Sequence, residues 1–226
     1  MNAKISVLGA GSWGTALAIQ AARNGCRTLL WGHNPNHVQA LNRQRCNARY
    51  LPGFNFPERL SVTADLKEAV EFSQLLLIAV PSHAFKDTLI KTAAWAKPGI
   101  QIAWATKGFN PENGALLHRS LQQIFPEDTP SAVLSGPTFA REVAADLPTA
   151  ITLAANQAEF AEHLTGILHS SRFRIYTSTD LTGVQVGGAV KNVLAIAAGI
   201  ADGLNFGANT RAALITRGLH EIIRLG

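Results

Sequence analysis

The chain has 226 residues, of which 47% are hydrophobic and 15% are charged, and its formal net charge at pH 7 is +5. A chain of this length can bury a core without disulfide or metal staples, and one or two domains are expected. The basic residues are scattered, without a basic run or an interleaved aromatic stripe, which argues against a nucleic-acid-binding protein. The positive charge instead suits small anionic ligands.

The two cysteines, Cys26 and Cys46, have neither C-x-x-C nor metal-type spacing, so we expect reduced thiols, no bound metal and a cytoplasmic protein. The apolar stretch after Lys4 resembles a signal peptide, but glycines break it and a strand followed by a turn explains it better. No run reaches about 18 apolar residues free of charge, so no membrane span is expected.

A glycine-rich turn follows the first predicted strand, residues 4–8. A helix is predicted at residues 15–24 and a second strand at residues 28–31, which is the context that a G-x-G-x-x-G dinucleotide fingerprint requires. The sequence therefore predicts a nucleotide-binding protein, the alternative being an ordinary glycine-rich turn between a strand and a helix.

The three glycines of this turn have separate expected roles. Gly9 permits the tight turn, Gly11 lets the backbone approach a pyrophosphate, and Gly14 lets the helix pack closely on the strand. The amides of the first helical turn then face the anion.

The choice of nucleotide is indicated where the second strand ends, at residues 32–35. No Asp or Glu is present there to hold a ribose 2′-hydroxyl. His33 and Asn34 would not repel a 2′-phosphate, and Arg43 or Arg45 could approach it. NADP(H) is therefore permitted and slightly favoured over NAD(H). Alternatively, His33 only caps a turn, because a neutral histidine alone is not diagnostic.

Strands and helices continue to alternate along the chain. The continuous apolar run at residues 75–80, ended by Pro81, is typical of a central parallel strand. Further strands are predicted at residues 101–104, 131–134, 150–154 and 173–177, and helices at residues 85–96, 114–124, 138–145 and 158–168. The pattern predicts an α/β fold with a doubly wound Rossmann-type sheet and helices on both of its faces.

The pattern changes after about Asp180. Residues 182–204 and 210–225 are predicted helices, the first rich in glycine and alanine, and no strand pattern remains. We expect a dinucleotide-binding domain over residues 1–180, followed by the start of an all-α substrate domain over residues 181–226. Two helices are too few for a core of their own, so this second domain is expected to be incomplete or completed by another chain.

Ligands of open α/β sheets bind outside the carboxyl ends of the strands, so the residues that follow each strand are candidates. Lys107 follows the strand at residues 101–104; the alternative is a solvated loop lysine. Gly136 and Thr138 follow the strand at residues 131–134, where amides and a hydroxyl at a helix start suit hydroxyl or phosphate groups. A plain N-cap followed by proline would look similar.

Lys191 lies inside an otherwise apolar predicted helix. Gly187 and Gly188 precede it by one turn, which predicts room beside the lysine because glycine destabilises a helix. A partly buried lysine can act as a general acid or base. We interpret Lys191 as the proton donor to a carbonyl that receives hydride, the alternative being a lysine that snorkels from an interface helix.

Five segments together resemble the bacterial type of NAD(P)-dependent glycerol-3-phosphate dehydrogenase, in family order and spacing. They are GAGSWGTALA at 9–18, KG at 107–108, SGPTFAREV at 135–143, GAVKN at 188–192 and NTRAAL at 209–214. The resemblance implies hydride transfer between NAD(P)(H) and dihydroxyacetone phosphate, forming sn-glycerol 3-phosphate for phospholipid synthesis. It also implies a homodimer, because helical second domains in this superfamily often dimerise.

The resemblance also implies roles for individual residues. Substrate would be contacted by Lys107, Gly136, Thr138 and Lys191, with Lys191 as the catalytic proton acceptor in the oxidative direction. Asn192, and Thr210 or Arg211, would be further members of the site. The dinucleotide would be contacted by Gly9, Gly11, Ser12, Trp13, Gly14, His33, Lys107 and Ala140.

Family members continue beyond the equivalent of the last residue, so the resemblance implies a C-terminally truncated chain that binds cofactor yet turns over poorly. Two alternatives remain open. A related hydroxyacid dehydrogenase would share the glycine-rich turn and the helical lysine. A non-catalytic nucleotide-binding fragment would bind the cofactor without turnover.

Overall fold

The computed structural model describes residues 3–225, so the outer bounds of the two expected domains, Met1 and Gly226, lie outside the described residues. In chain order the elements are β1 (Lys4–Leu8), α1 (Ser12–Arg23), β2 (Arg27–Trp31), α2 (Pro35–Gln44), β3 (Cys46–Asn47), β4 (Leu51–Asn55), β5 (Leu60–Thr63), α3 (Leu66–Phe72), β6 (Leu75–Ile78), α4 (Ser82–Ala93), β7 (Gln101–Trp104), α5 (Leu117–Gln122), β8 (Ser131–Ser135), α6 (Ala140–Ala144), β9 (Thr149–Ala155), α7 (Ala158–Leu168), β10 (Phe173–Ser178), α8 (Leu181–Gly203) and α9 (Ala208–Leu225).

Eight strands form one sheet in the order β10-β9-β8-β7-β6-β1-β2-β5. Its neighbouring strands are parallel, except that β8 and β9 run antiparallel. The chain builds outward from β1 through β2 to β5, then returns so that β6 pairs with the other side of β1. The predicted doubly wound sheet is confirmed, and its topological switch point lies between β1 and β6.

The sheet has an apolar core on each face, because the side chains of a strand point alternately to its two sides. Ile5 and Val7 belong to the core that also includes residues of α1, α6 and α7. Leu8 and Ile78 belong to the opposite core, which includes residues of α3, α4 and α5. Both faces are therefore covered by helices, as parallel sheets require.

Most of the predicted elements are present with bounds shifted by a few residues. The strands at residues 4–8 and 101–104 and the helix at residues 158–168 have the predicted bounds. The strand predicted to reach residue 80 ends at Ile78, because the next three residues form the approach to α4. The helix predicted at residues 138–145 covers only Ala140–Ala144, since Thr138 N donates to Gly136 O at 2.9 Å in a tight turn.

The sequence pattern predicts no element between residues 36 and 74, but α2, β3, β4, β5 and α3 lie there. Helix α2 begins at a proline, and the side chain of Asn34 accepts a hydrogen bond from His37 N at 3.1 Å. Strand β5 pairs with β2 at the edge of the large sheet, and β3 and β4 form a separate hairpin. These elements are short, so their periodicity is too weak to predict them.

Helix α8 begins where Asp180 Oδ1 accepts a hydrogen bond from Gly183 N at 2.7 Å. It packs on β8, β9 and α9. By length and composition alone α8 is apolar enough to cross a membrane, a test that core helices of soluble proteins also pass. The expected absence of a membrane span stays a prediction.

Candidate active site

A crevice of about 680 Å³ opens at the carboxyl ends of the strands, over the switch point between β1 and β6. Its volume falls in the range of roughly 300–1,000 Å³ that is usual for small-molecule sites. It is lined by residues 9–13, 31–34, 79–81, 105–107 and 138–140, together with His37, Arg49 and Tyr50. The crevice therefore brings together segments that are far apart in the sequence.

The glycine-rich turn forms the floor of this crevice. Gly9 has φ +127°, and a Cβ on it would lie 2.6 Å from Ala79 O, so only glycine suits the turn. A Cβ on Gly14 would overlap Gly9 O, which confirms the predicted close packing. A Cβ on Gly11 would meet no atom of residues 3–225 within 4 Å, so the backbone there is open to a ligand.

Helix α1 begins at Ser12 with its N-terminus at the crevice. The N–H groups of a first helical turn have no partner within the helix, and the helix dipole adds partial positive charge. This end of the crevice therefore suits a pyrophosphate group. Ser12 and Trp13, both expected to contact the cofactor, line it.

Beyond β2, the crevice contains His33 and Asn34 and no carboxylate among its described lining residues. Asn34 rather than His33 caps α2, so the capping role considered for His33 is wrong. Neither Arg43 nor Arg45, which the sequence allowed to approach a 2′-phosphate, is among the described residues that line the crevice. Arg45 instead donates to Leu60 O at 2.7 Å and to Pro57 O at 2.8 Å, and Arg43 is exposed on α2 outside the lining.

Arg49 lines the crevice and was not predicted. It lies in the turn between β3 and β4, where its guanidinium is over the Tyr50 ring, 5.1 Å from the centroid. No motif in the sequence marks this turn. Its position depends on contacts with the distant glycine-rich turn.

Two lysines converge at the other end of the crevice. Lys107 Nζ and Lys191 Nζ each lie 3.5 Å from Gly136 O. Lys107 Nζ is also 5.9 Å from the ring centroid of Trp13, and Lys191 Nζ is 5.8 Å from that of Phe139. Lys107 lines the crevice, whereas Gly136 and Lys191 lie next to its lining residues.

The electrostatic environment of Lys107 differs from that of a solvated lysine. Burial lowers its pKa below the ordinary value of 10.5, and the charge of Lys191 lowers it further. The loop-lysine alternative is therefore disfavoured. An anion bound between the two ammonium groups would relieve their repulsion.

Lys191 is positioned by contacts one to two turns earlier on α8. A Cβ on Gly188 would overlap Ser135 Oγ, so this glycine lets α8 approach β8. The room predicted beside Lys191 from Gly187 and Gly188 stays a prediction, and Gly188 has a packing role that the sequence did not indicate. Gln185 Oε1 accepts from His118 N at 3.2 Å, which joins α8 to α5.

Three polar side-chain atoms of crevice-lining residues are buried without a hydrogen-bond partner among residues 3–225. They are Trp13 Nε1, His37 Nε2 and Thr138 Oγ1. Thr138 is 8% exposed and α6 begins two residues later with Phe139 as its N-cap, so the N-cap alternative is wrong. Unpartnered buried groups are costly, and a polar ligand would satisfy them.

The remaining expected site members are not brought to the crevice. Asn192 is exposed on α8, and Thr210 is exposed on α9. Arg211 forms a salt bridge with Asp202 at 2.9 Å. Ala140, by contrast, lines the crevice as expected.

The doubly wound sheet, the glycine-rich turn at its switch point and the helix N-terminus in a crevice define a Rossmann-type dinucleotide-binding protein. Residues 4–161 match the family model described as NAD-dependent glycerol-3-phosphate dehydrogenase N-terminus, and residues 180–226 match the corresponding C-terminus. The chain belongs to this family of glycerol-3-phosphate dehydrogenases. The resemblance seen in the sequence is thereby confirmed.

Comparison with individual relatives supports the same family. A glycerol-3-phosphate dehydrogenase [NAD(P)+] from Aeromonas hydrophila is 55% identical over 98% of this chain and 67% of its own length. One from Methylococcus capsulatus is 57% identical over 98% of this chain and 66% of its own length. A crystal structure of the Coxiella burnetii enzyme is 46% identical, with a TM-score of 0.95, over 99% of this chain and 68% of that one. The chain spans about two thirds of the length of these relatives.

Proposed function

We propose that the chain catalyses the reversible reduction of dihydroxyacetone phosphate to sn-glycerol 3-phosphate with NADH or NADPH, supplying phospholipid synthesis. The observation that carries this proposal is the convergence of Lys107 and Lys191 on Gly136 O beside the crevice. Two ammonium groups next to a dinucleotide site suit a small substrate that has both a carbonyl and a phosphate. Family membership supports the same reaction.

The cofactor would be held by the glycine-rich turn and the first turn of α1. The pyrophosphate would accept hydrogen bonds from backbone amides near Gly11, Ser12 and Trp13. His33 would contact the adenosine half, and Lys107 and Ala140 would contact the nicotinamide half. When bound, the nicotinamide supplies hydride to the carbonyl carbon or accepts it in the reverse direction.

Lys191 performs the proton transfer. In the reductive direction its ammonium donates a hydrogen bond to the substrate carbonyl oxygen and transfers a proton as negative charge develops there. In the oxidative direction its neutral amine accepts the hydroxyl proton. Lys107 attracts the substrate phosphate, Gly136 contacts the substrate through its backbone, and Thr138 Oγ1 hydrogen-bonds the substrate.

The experiment compares Lys191→Ala with Lys91→Ala, a matched change of an exposed lysine on α4. Loss of a general acid–base group costs typically about 10²- to 10⁴-fold in rate, so Lys191→Ala should abolish measurable turnover of dihydroxyacetone phosphate. Its dissociation constant for NAD(P)H, measured by fluorescence titration, should stay within about threefold of that of the unchanged chain, because the proton is transferred in the transition state. Lys91→Ala should match the unchanged chain in both measurements.

Retained turnover in Lys191→Ala would reject the assignment. Activity measured with carboxylate substrates and with dihydroxyacetone phosphate distinguishes this reaction from that of a hydroxyacid dehydrogenase. A hydroxyacid dehydrogenase would reduce the carboxylate substrates and would not reduce dihydroxyacetone phosphate. A non-catalytic nucleotide-binding fragment would bind NAD(P)H without turnover in any form, including one as long as the relatives. Family membership favours the glycerol-3-phosphate dehydrogenase reaction over both alternatives.

We also propose that a second, helical domain begins near residue 180 and forms a homodimer in the cytoplasm. The start of α8 and the start of the second family match at residue 180 support that boundary. Large apolar side chains repeat along exposed faces of both helices; on α9 they are Ile215, Leu219 and Ile223. Such faces pack against protein, and a monomer in light scattering would contradict the dimer.

A further inference from the structure

We propose that Arg49 binds the 2′-phosphate of NADP(H) and thereby makes this chain prefer NADP(H) over NAD(H). The proposal rests on one part of the proposed function, the binding of a dinucleotide in the crevice, and does not depend on the identity of the substrate. It concerns the end of the crevice beyond β2, opposite the two lysines. Three observations carry it: the way the turn with Arg49 is held, the freedom of its guanidinium, and the charges around it.

The turn that carries Arg49 is tied to the glycine-rich turn by Asn47. Asn47 is fully buried, and its Nδ2 donates to Ala10 O at 3.1 Å and to Thr15 Oγ1 at 2.8 Å. Its Oδ1 accepts from Tyr50 N at 3.2 Å. The backbone on either side of Arg49 is therefore fixed relative to the turn that receives the pyrophosphate. A nucleotide bound there therefore lies at a set distance from the backbone of Arg49.

The guanidinium itself is free to bind an anion. Arg49 is exposed, and within the part of the chain that the structure describes it has no hydrogen-bond or salt-bridge partner. Its Cζ lies over the Tyr50 ring in a cation–π contact, and that ring meets the His37 ring edge-on at 5.1 Å between centroids. A cation–π contact holds the guanidinium beside the ring and uses none of its N–H donors.

The surroundings favour a phosphate over a bare hydroxyl. In dinucleotide sites of this fold the ribose lies just beyond the second strand, where His33 and Asn34 are found. None of the described lining residues is a carboxylate, which would otherwise select a 2′-hydroxyl and repel a 2′-phosphate. His37 Nε2 is buried without a described partner in the same cluster. A guanidinium matches phosphate geometry with two parallel hydrogen bonds.

The experiment measures binding, so it does not depend on turnover. NADPH and NADH are titrated by fluorescence, and 2′,5′-ADP and 5′-AMP by calorimetry, because each pair differs only by the 2′-phosphate. Arg49→Ala is compared with Arg43→Ala, which removes an exposed arginine outside the crevice. Thermal unfolding of each variant verifies that the fold is retained.

In the unchanged chain, NADPH and 2′,5′-ADP should bind more tightly than NADH and 5′-AMP. Charged hydrogen bonds of this kind correspond to about tenfold or more in affinity, so Arg49→Ala should weaken NADPH by at least about tenfold and NADH by less than about threefold. Arg49→Lys should retain part of the preference, since it keeps the charge and loses the planar fork. Arg43→Ala should leave both affinities unchanged.

The inference is overturned if the unchanged chain binds both nucleotides equally, or if Arg49→Ala retains the preference for NADPH. In either case the cofactor site and the proposed function stand. If no nucleotide binds to the folded chain, the proposed function fails and the inference fails with it.

Discussion

Replacing Gly188 with alanine is expected to push helix α8 away from strand β8. A Cβ at position 188 would overlap Ser135 Oγ and lie 3.3 Å from Ser135 Cβ, and Ser135 is buried. A Cβ on the neighbouring Gly187 would meet no described atom within 4 Å. The two adjacent glycines therefore form a matched pair on one helix, in which only Gly188 has a packing role.

The size of the effect follows from two terms. Alanine in place of glycine stabilises a helix by about 1 kcal/mol, and both variants gain this. Overpacking costs about 1–3 kcal/mol, and because the serine hydroxyl can rotate while its Cβ cannot, Gly188→Ala should be in the lower half of that range. The two variants should therefore differ by about 1–2 kcal/mol, or about 2–8 °C in Tm for a chain of this size.

The catalytic consequence is larger than the loss of stability. Lys191 lies three residues after Gly188, and its Nζ is 3.5 Å from Gly136 O only while α8 is close to β8. Misplacement of a reacting group by about 1 Å can cost about 100-fold, so kcat of Gly188→Ala should fall by about 10- to 100-fold. Nucleotide affinity should not change, since Gly188 is not among the described residues that line the crevice.

Thermal unfolding and steady-state kinetics of both variants test this reasoning. Adding Ser135→Ala to Gly188→Ala removes the overlapping hydroxyl and should recover part of the Tm. Equal Tm values for Gly187→Ala and Gly188→Ala would refute the packing argument. An unchanged kcat in a destabilised Gly188→Ala would refute the positioning of Lys191 by this contact.

Three further predictions concern titratable groups. Burial lowers the pKa of Lys107 below 10.5, so Lys107 should lose its charge, and KM for dihydroxyacetone phosphate should begin to rise, at a pH below that value. Lys107→Arg should abolish this rise, and a KM that does not change with pH in the unchanged chain would contradict the prediction. Burial also lowers the pKa of His118 below 6.5, so the unfolded chain takes up the proton first and stability is lost as pH falls through 6.5. His118→Gln should reduce that loss of Tm, and an identical pH profile would contradict it. Burial raises the pKa of Cys26 to about 11, so iodoacetamide at neutral pH should label the half-buried Cys46 before Cys26. Mass spectrometry identifies the labelled residue, and faster labelling of Cys26 would contradict this prediction.

Much of the fold was predictable because its signals are local. The strand–turn–helix unit around Gly9, the buried runs that form β6 and β7, and the change of pattern at Asp180 all appear in short windows of sequence. The segment from α2 to α3 was not predictable in this way. Its strands have two to five residues, and they exist because β2 and the paired hairpin strands satisfy their hydrogen bonds.

The same division applies to the candidate site. Lys107 and Thr138 were predictable because the carboxyl ends of parallel strands meet at one edge of a sheet. Arg49 was not, because its turn is held by hydrogen bonds from Asn47 to residues 37 and 32 positions earlier. Arg45 is closer to β2 in sequence, but its guanidinium donates hydrogen bonds to backbone carbonyls instead.

By itself the sequence determined the class of protein: a doubly wound sheet with a dinucleotide turn, a helical lysine and the segment order of the glycerol-3-phosphate dehydrogenase family. These features depend on residue type and spacing, so they can be identified without knowing which residues are neighbours in the folded chain. Only the tertiary structure decided which cations face the crevice, that Gly188 serves packing against Ser135, and that Lys107 and Lys191 share one carbonyl oxygen. The physical reason is that the surroundings of a side chain depend on hydrogen bonds and contacts between distant segments, which no local pattern records.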